Sequence, residues 1–515
     1  MAFLGRIKQL ASETAIYGIS TIVGRLVNYL LVPIYLNVFV PELYQVVILV
    51  FTAFAVLNHI YQHGMEAAYL KYASSAEGRL TIKKTFSTAT WSLLGLSACA
   101  SGLLILGQNP LSNLIGIGTN WAYLFYYAAG ILTLDALSIV PFAELRLQNR
   151  PYYFAAIKLV NIALNVGFNL FLIFGLGMGV ESVFIANLIA SAGTLLLLIP
   201  LYFKLWDSSF DGHLWKQLMA FGLPFIPSGI SYAFVDRINT IFLDKMDPAR
   251  VIELYGDFLP ARVLFSSPEA GGSLPTDYIV GVFGGVWKLG VFMMLVAQMF
   301  RFAWQPFFLQ HAEDEDAQPL FARIFTLYTA ASLFVLLAIS FFIDELVSIR
   351  IPNRGPLIPE EYWFALYLVP VILLAYFFQG WYYNFTAGAY IKKQTKYFAT
   401  CTFAGALLAL AINLFAVPHF GMIAAAWATT LAYALMAFLL FSIAKRFYPV
   451  PYRWSEVFRS CILAAGIYAA WYFTPTAQVW WKEALLLLGF IAGLFIMRIV
   501  SLKQAFSIVK SRNKD

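Results

Sequence analysis

Charged residues are scarce in this chain of 515 residues. Only 12% are Asp, Glu, Lys or Arg, whereas soluble domains carry about 25%. This shortage excludes a soluble enzyme of several domains, and it excludes a disordered chain, which needs a high charge content. Hydrophobic residues make up 61% of the sequence, and the mean hydropathy is +0.74. The composition is that of an integral membrane protein.

Cysteine and histidine are also rare. Cys99, Cys401 and Cys461 lie within apolar segments without zinc or disulfide spacing, so we expect small buried hydrophobic side chains. Two of the five histidines, His59 and His63, have the i, i+4 spacing of a metal pair, but no acidic ligand shares their helix face at the right spacing. No nucleotide-binding fingerprint or hydrolytic site is present. We therefore expect no metal or other cofactor, and no direct use of ATP.

Long apolar segments dominate the chain. A helix needs about 20 apolar residues to cross the hydrocarbon core, whereas strands of a membrane barrel alternate over about 10 residues. The segments therefore predict an all-α integral membrane protein with fourteen transmembrane helices, at about 15–36, 43–63, 85–106, 121–142, 153–174, 180–203, 217–241, 279–300, 320–343, 362–385, 397–417, 421–443, 457–474 and 482–501.

Lysine and arginine are distributed unequally between the two sides of this arrangement. With a cytoplasmic N-terminus, 24 of the 34 basic residues lie on the cytoplasmic side or at the cytoplasmic end of a span, six lie outside or at the outer end of a span, and four lie deeper within spans. The positive-inside rule therefore predicts that both termini are cytoplasmic. The net charge of +7 reflects the composition of these loops, so we expect no nucleic-acid partner.

Part of the sequence is duplicated at an offset of 244 residues. Nine of 26 aligned positions match without a gap. The shared residues include an opening Tyr-Phe-Ala, a central Asn-Leu-Phe and a closing Gly-Met, at 153–155, 169–171 and 177–178 in the first copy. This pattern predicts two six-helix lobes with the same orientation, related by a pseudo-two-fold axis along the membrane normal.

The predicted organisation follows from this repeat. Residues 1–205 form the first lobe, with helices 1–6. Residues 206–446 form the second, with helices 7–12 and a long external loop at 242–278. Residues 447–515 add helices 13 and 14 and a basic cytoplasmic tail. The external loop contains four prolines and a Gly-Gly pair, which predict irregular structure with at most one short helix; it is either a surface insertion or a cap on the outer mouth.

Ionisable residues within the spans are costly and usually face a partner or a water-filled cavity. Arg25 is about ten residues into the first span, too deep to reach the surface easily. Asp135 lies near the middle of the fourth span, and is either the partner of Arg25 or a proton or cation site. Asp236 and Arg237 follow a double-proline stretch that is expected to kink the seventh helix.

Two lysines also lie within spans. Lys288 is about nine residues into the eighth span, at roughly the depth of Arg237. Lys158 is only about five residues into the fifth, so its stem can reach the inner surface. We therefore place Arg25, Arg237 and Lys288 in a central cationic cavity between the lobes. Guanidinium groups bind phosphate oxygens in a bidentate fork, and pyrophosphate is a biological anion of matching charge. Further candidates for this cavity are Lys158, Arg301 and Trp304.

Several of these segments resemble one family. The stretch Gly24-Arg25-Leu26-Val27-Asn28, the proline-rich start of helix 7 that leads to Asp236-Arg237, and two runs around helix 8 are similar to the polysaccharide-biosynthesis flippases of the multidrug/oligosaccharidyl-lipid/polysaccharide (MOP) superfamily. The likeness covers about residues 1–450 and includes Trp287-Lys288-Leu289 and 301–308. The long loop between helices 7 and 8 departs from the family's common form.

The resemblance implies a MATE-like fold and a function. Such a protein moves an undecaprenyl-pyrophosphate-linked oligosaccharide across the bacterial inner membrane by alternating access, for O-antigen, capsule or exopolysaccharide synthesis. Its partners would be this lipid-linked glycan, membrane lipid, and the glycan polymerase and glycosyltransferases. The resemblance does not fix a coupling ion; from their positions within the spans, Asp135 and Asp236 are the candidates for H⁺ or Na⁺ coupling or for a charge partner. The alternatives are a MATE-type drug/cation antiporter, which favours an acidic cavity, and a membrane glycan polymerase or ligase, which needs a large external loop.

Replacing Arg25 tests the cationic cavity. The Arg25→Ala variant is expected to abolish glycan export, because the pyrophosphate loses a bidentate partner, while the protein still folds in the membrane. Surface glycan and membrane-inserted protein would be measured together at native expression. Normal surface glycan in this variant would contradict the cavity.

Overall fold

The structure is a computed structural model of the whole chain. It describes residues 31–74, 79–265, 274–351, 355–392, 394, 396–474 and 480–499. Most of the predicted first span, including Arg25, lies outside the described residues, whereas residues 31–38 are helical.

Helices account for nearly all of the described residues, as the apolar segments predict. They are α1 (Pro41–Gln62), α2 (Met65–Ser74), α3 (Arg79–Leu106), α4 (Gln108–Ile115), α5 (Leu124–Leu147), α6 (Pro151–Leu170), α7 (Glu181–Leu205), α8 (Gly212–Gly222), α9 (Phe225–Asp244), α10 (Pro248–Tyr255), α11 (Ala261–Leu264), α12 (Pro275–Trp287), α13 (Val291–Gln310), α14 (Ala317–Phe341), α15 (Ile343–Ser348), α16 (Val369–Ile391), α17 (Lys396–Phe415), α18 (Val417–Phe420), α19 (Met422–Ala444), α20 (Trp454–Phe473) and α21 (Trp480–Ile496).

Other regular structure is short. Two strands, β1 (Arg350–Ile351) and β2 (Gly355–Pro356), pair antiparallel. A π-helical turn at Phe171–Gly175 extends α6, and 3₁₀ turns lie at Thr119–Trp121, Gly256–Phe258, Lys288–Gly290 and Glu360–Leu368.

Eleven helical segments of the described chain are long and apolar enough to cross a membrane. They coincide with predicted helices 2–12, so the protein is a multi-pass membrane protein. Helices α20 and α21 lie where helices 13 and 14 are predicted, but they are not among the eleven. The total of fourteen spans and the two-fold relation of the lobes stay predictions.

The chain divides into two compact units. Unit 1 comprises Met1–Gly285 and Thr402–Thr429, and unit 2 comprises Val286–Cys401 and Thr430–Asp515. Unit 1 extends across the predicted lobe boundary because α8 packs on α2 and α3, and α9 packs along α1. The lobes 1–205 and 206–446 therefore stay a prediction.

The core of unit 1 lies among α1, α2, α3, α5, α7 and α8. Tyr69 is fully buried there, and its hydroxyl donates to Glu144 Oε2 at 2.6 Å. Burial of a carboxylate is costly without such a partner, and this bond offsets part of that cost. The surrounding side chains are apolar and include Tyr61, Met65, Phe86, Leu93, Leu132, Val140, Leu198, Leu201 and Leu218.

In unit 2, an ion pair links the C-terminal helix α20 to α14. Arg323 of α14 donates to Glu456 at the start of α20 at 3.0 Å, and Arg453 reaches the same carboxylate at 3.1 Å. A separate aromatic cluster contains Trp304, Phe308, Phe321 and Tyr448.

Two breaks in the helices follow from the sequence. Between α8 and α9, Pro224 lacks the backbone N–H that would continue the helix, so the predicted proline kink is confirmed. Between α1 and α2, His63 and Gly64 both have positive φ, of 35° and 67°. A Cβ on Gly64 would collide with the backbone carbonyl of Gly222. Gly64 therefore permits both a left-handed turn and a close approach of α2 to α8.

The repeated sequence has similar local structure in both copies. Gly177 and Gly421, 244 residues apart, have φ of 65° and 60°. Asn169 and Asn413 are both buried, and each donates its side-chain amide to the carbonyl four residues earlier, at 2.8 and 2.7 Å. The matched residues thus occupy equivalent positions in a helix–glycine–helix unit.

The Gly64 turn can be tested by adding a methyl group. Gly64→Ala is expected to destabilise the protein by about 2 kcal/mol or more, because alanine at positive φ is strained and its Cβ has no space. Gly95→Ala is the matched control, since nothing lies within 4 Å of a Cβ there, and a helical alanine is favoured. Melting temperatures of both variants in detergent would be compared. Equal values would show that the turn tolerates a side chain.

Candidate functional site

Asp135 is the most informative charge that the structure describes within a span. It is the twelfth of 24 residues in α5, and it accepts a hydrogen bond from Ser191 Oγ of α7 at 2.7 Å. Its side chain is nevertheless exposed on the protein surface. A carboxylate at this depth usually faces a partner or water, so we expect this surface of unit 1 to face a water-containing space.

Lys158 accompanies Asp135. It lies on α6, interacts electrostatically with the Asp135 carboxylate, and places its ammonium 4.2 Å from the centre of the Phe142 ring. Sequence reasoning weighed Arg25 as the partner of Asp135. Lys158 is the cation that the structure places near Asp135, and Arg25 lies outside the described residues.

A row of asparagines continues from this pair along α6 and α7, and it was not predicted. Asn161 donates to Thr194 Oγ1 at 2.9 Å, and Asn165 donates to Asn187 Oδ1 at 2.9 Å. Asn169 accepts from the hydroxyl of Tyr35 at 2.8 Å. The signal was present in the sequence, because residues 161, 165 and 169 recur at a spacing of four and must share one helix face.

Arg237 and Asp236 lie on α9 in unit 1. Arg237 Nε and Asp236 Oδ2 are 2.9 Å apart, and their side chains are 27% and 17% exposed. The two predicted site residues therefore form an ion pair with each other. A guanidinium held in this way keeps a defined orientation, and its charge is partly compensated by the neighbouring carboxylate.

Lys288 belongs to unit 2 and lies at an irregularity that the sequence did not reveal. The 3₁₀ turn Lys288–Gly290 separates α12 from α13, so the predicted eighth helix is interrupted there. Lys288 is half-buried. A Cβ on Gly290 would collide with Ile372 and Tyr376 of α16, and this tight packing fixes the turn. Short 3₁₀ stretches within a helix often mark hinges.

Arg301 and Trp304 follow on α13 in unit 2, but their surroundings differ. Arg301 is exposed, and its guanidinium lies 5.2 Å from the centre of the Tyr383 ring, a cation–π contact. Trp304 is only 3% exposed, and its indole N–H donates to the carbonyl of Asn384 at 3.1 Å.

The Trp304 ring packs against four other aromatic side chains, which are Phe300, Phe307, Phe308 and Phe321. Its place in a ligand cavity stays a prediction.

Of the two histidines, His63 has its ring nitrogens bonded within the protein. His63 is fully buried and bonds to Ser92 Oγ at 3.1 Å and to the carbonyl of Tyr61 at 3.0 Å. Across the described ranges, no group of three or more His, Cys, Asp or Glu side chains could hold a metal ion.

Comparison with known proteins finds one family model that matches part of the chain. A family model described as polysaccharide biosynthesis protein matches residues 38–255. This match covers all of α1–α9 and also α10, which belongs to the segment predicted to be external. No curated protein sequence matches the chain at a significant level.

Solved structures of MOP-superfamily proteins share the fold. The lipid II flippase MurJ in an inward closed conformation has a TM-score of 0.64 at 15% identity, over 94% of this chain and 100% of that one. An inward-facing multidrug resistance MATE transporter gives 0.62 at 14% identity, over 82% and 94%. A MOP-superfamily transporter from Pyrococcus furiosus gives 0.55 at 14% identity, over 85% and 95%. The chain therefore has the MATE/MurJ-like fold.

The water-containing surface at Asp135 can be tested with a cysteine. Asp135→Cys is expected to react with N-ethylmaleimide in membranes at least about tenfold faster than native Cys99, because a thiol must ionise to react and does so only in contact with water. Cys99 is a suitable comparison because it is also exposed, but it lies near the exposed apolar side chains Leu103 and Leu106 on α3. Cys401 and Cys461 would be replaced by serine, and labelling followed by mass spectrometry. Equal rates would place Asp135 against lipid.

Proposed function

We propose that this protein is a flippase that carries an undecaprenyl-pyrophosphate-linked oligosaccharide from the cytoplasmic to the outer leaflet of the bacterial inner membrane. The observation that supports this most directly is the polysaccharide-biosynthesis match over 38–255 in a chain whose fold resembles that of a lipid II flippase. The glycan would serve a surface polysaccharide such as O-antigen, capsule or exopolysaccharide. Both termini would be cytoplasmic.

In this proposal the anionic end of the cargo is recognised by cations within the spans. Arg237 presents a guanidinium oriented by Asp236, and Lys288 supplies a second charge at a turn of helix 8. Arg25 would add a third. A pyrophosphate carries more charge than the Asp236 carboxylate, so it can compete for the guanidinium by charge-assisted hydrogen bonds. The glycan would cross through a hydrated path while the polyprenyl chain stays in lipid.

The cycle would be alternating access by movement of the two predicted lobes. Asp135, with Ser191 and Lys158 beside it, is the candidate site for a coupling H⁺ or Na⁺, and Asp236 is the second. No resident cofactor is required. The glycosyltransferases that build the cargo and the polymerase that consumes it would be the natural partners.

A MATE-type drug or cation antiporter is the main alternative. The likeness in fold does not distinguish a flippase from an antiporter, because the TM-scores to a MATE transporter and to MurJ are nearly equal, at 0.62 and 0.64. The family match favours the flippase over the antiporter, since its description concerns polysaccharide synthesis. The charges Arg237, Lys288 and Lys158 also favour an anionic cargo over a cationic drug.

A membrane glycan polymerase or ligase is disfavoured by the external segment. Such an enzyme needs arginine or acidic groups available to substrate in its large loop. Arg250 is bonded to Glu253 and to the carbonyl of His419, and Arg262 is bonded to Glu42. Both arginines therefore have structural partners. We infer a transporter and not an enzyme.

Replacing Arg237 tests the recognition step. Arg237→Ala is expected to lower export about tenfold or more, because a hydrogen bond to a charged group contributes about 1.5–3 kcal/mol. Arg237→Lys would retain the charge but lose the fork, so its export should be intermediate. Lys204→Ala, at the exposed cytoplasmic end of α7, is the control. Surface polysaccharide would be measured in a complemented deletion strain. Wild-type export by Arg237→Ala would contradict the proposed site.

A further inference from the structure

Three helices of unit 1 meet at the end of the bundle that is predicted to be external. Gln45 of α1 is 2% exposed, and its amide donates to Asp244 Oδ1 of α9 at 2.9 Å and to Asp277 Oδ1 of α12 at 3.3 Å. The same amide lies 3.4 Å from the carbonyl of Gly116. One buried side chain thus joins the ends of α1, α9 and α12.

The carboxylates at this junction repel one another. Glu42, one turn from Gln45 on α1, interacts unfavourably with Asp277, and Asp277 does so with Asp244. Lys245 lies 3.5 Å from Asp244 and compensates part of that charge. The compensation for Glu42 comes from the external segment, where Arg262 Nε lies 3.0 Å from Glu42 Oε1. The Glu42 side chain is only 5% exposed, whereas that of Arg262 is 44% exposed, so water screens this pair from the arginine side only.

The segment that supplies Arg262 is folded and anchored. Val251, Tyr255, Leu259 and Val263 are buried along residues 248–264, so this segment is packed and not an irregular loop.

Its other end is attached to α18 and α19. The Tyr255 hydroxyl accepts from the backbone N–H of Met422 at 2.8 Å, and Arg250 donates to the carbonyl of His419 at 2.9 Å. Gly421 makes room for Tyr255, because a Cβ there would collide with the ring hydroxyl.

We propose that residues 248–264 are a clamp that holds the external ends of α1, α9 and α12 together, and that the Arg262–Glu42 ion pair is the contact that must break for this end to open. The inference rests on the proposed transport by alternating access. Without Arg262, Glu42 and Asp277 repel each other across α1 and α12, so loss of one cation favours separation of the helices. The packed part of the segment stays bound to α18 and α19, so the Arg262–Glu42 ion pair can form again when the helices return.

A cysteine beneath the junction reports opening. Thr240 of α9 is 5% exposed and bonds to Thr52 of α1 at 3.1 Å. Thr52 is seven residues beyond Gln45, or about 10 Å deeper along the helix. Thr240→Cys would be introduced after replacement of the three native cysteines, and its labelling by a membrane-impermeant maleimide would be timed on the full chain in nanodiscs. This readout needs no cargo and no assumption about orientation.

Three further changes are made in that background. Arg262→Glu is expected to raise the labelling rate about tenfold, a typical coupling between a contact and a two-state equilibrium. The double variant Glu42→Arg with Arg262→Glu restores opposite charges and should return labelling to the slow rate. Asp257→Arg, an exposed charge in the same segment, is the control and should have no effect. Size-exclusion profiles and melting temperatures would verify that each variant is folded.

Fast labelling of Arg262→Glu with rescue by the swap supports the clamp. Unchanged labelling in Arg262→Glu, or failure of the folded swap to restore the slow rate, would overturn it. A deletion strain tests the proposed flippase function separately from the clamp. Normal surface polysaccharide in that strain would refute the flippase, and the labelling result for the clamp would be unaffected.

Discussion

The cost of placing charge in hydrocarbon governs the arrangement of this protein. Each ionisable side chain within a span must find a partner, reach the surface or face water. Asp135 accepts a hydrogen bond from Ser191 and lies near Lys158, and Arg237 forms an ion pair with Asp236. These arrangements make charge tolerable at depth, and in the proposed function they keep it available for an anionic cargo or a coupling ion. A soluble protein would not need such pairs, so their positions are informative about function.

Much of the fold could be predicted from the sequence because hydrophobic length is a strong signal. The predicted spans 2–12 coincide with helices, and the proline kink before α9 is confirmed. The repeat was visible as matched residues, and Gly177 and Gly421 have the same sign of φ. Helix interruptions depend on tertiary packing instead. The turn at Lys288 is fixed by the close approach of Gly290 to α16, which no local pattern reveals.

The site was harder to predict than the fold. Whether an aromatic side chain is buried or exposed depends on its tertiary neighbours, and Trp304 is buried among other aromatic rings. The asparagines of α6 recur every four residues, but their partners on α7 are known only from the structure. In the segment predicted to be external, prolines and glycines suggested irregular structure, whereas the buried Tyr255 and the Arg262–Glu42 ion pair show that residues 248–264 are folded.

The central claim is that the protein moves a lipid because it recognises the anionic link between lipid and sugar. The most direct measurement is translocation in proteoliposomes that contain purified protein, with a fluorescent oligosaccharide attached through pyrophosphate to a polyprenyl chain. The same oligosaccharide on a neutral polyprenyl link is the comparison. The account predicts protein-dependent movement of the pyrophosphate-linked glycan and little movement of the neutral one. Equal movement of both, or of neither, would contradict it.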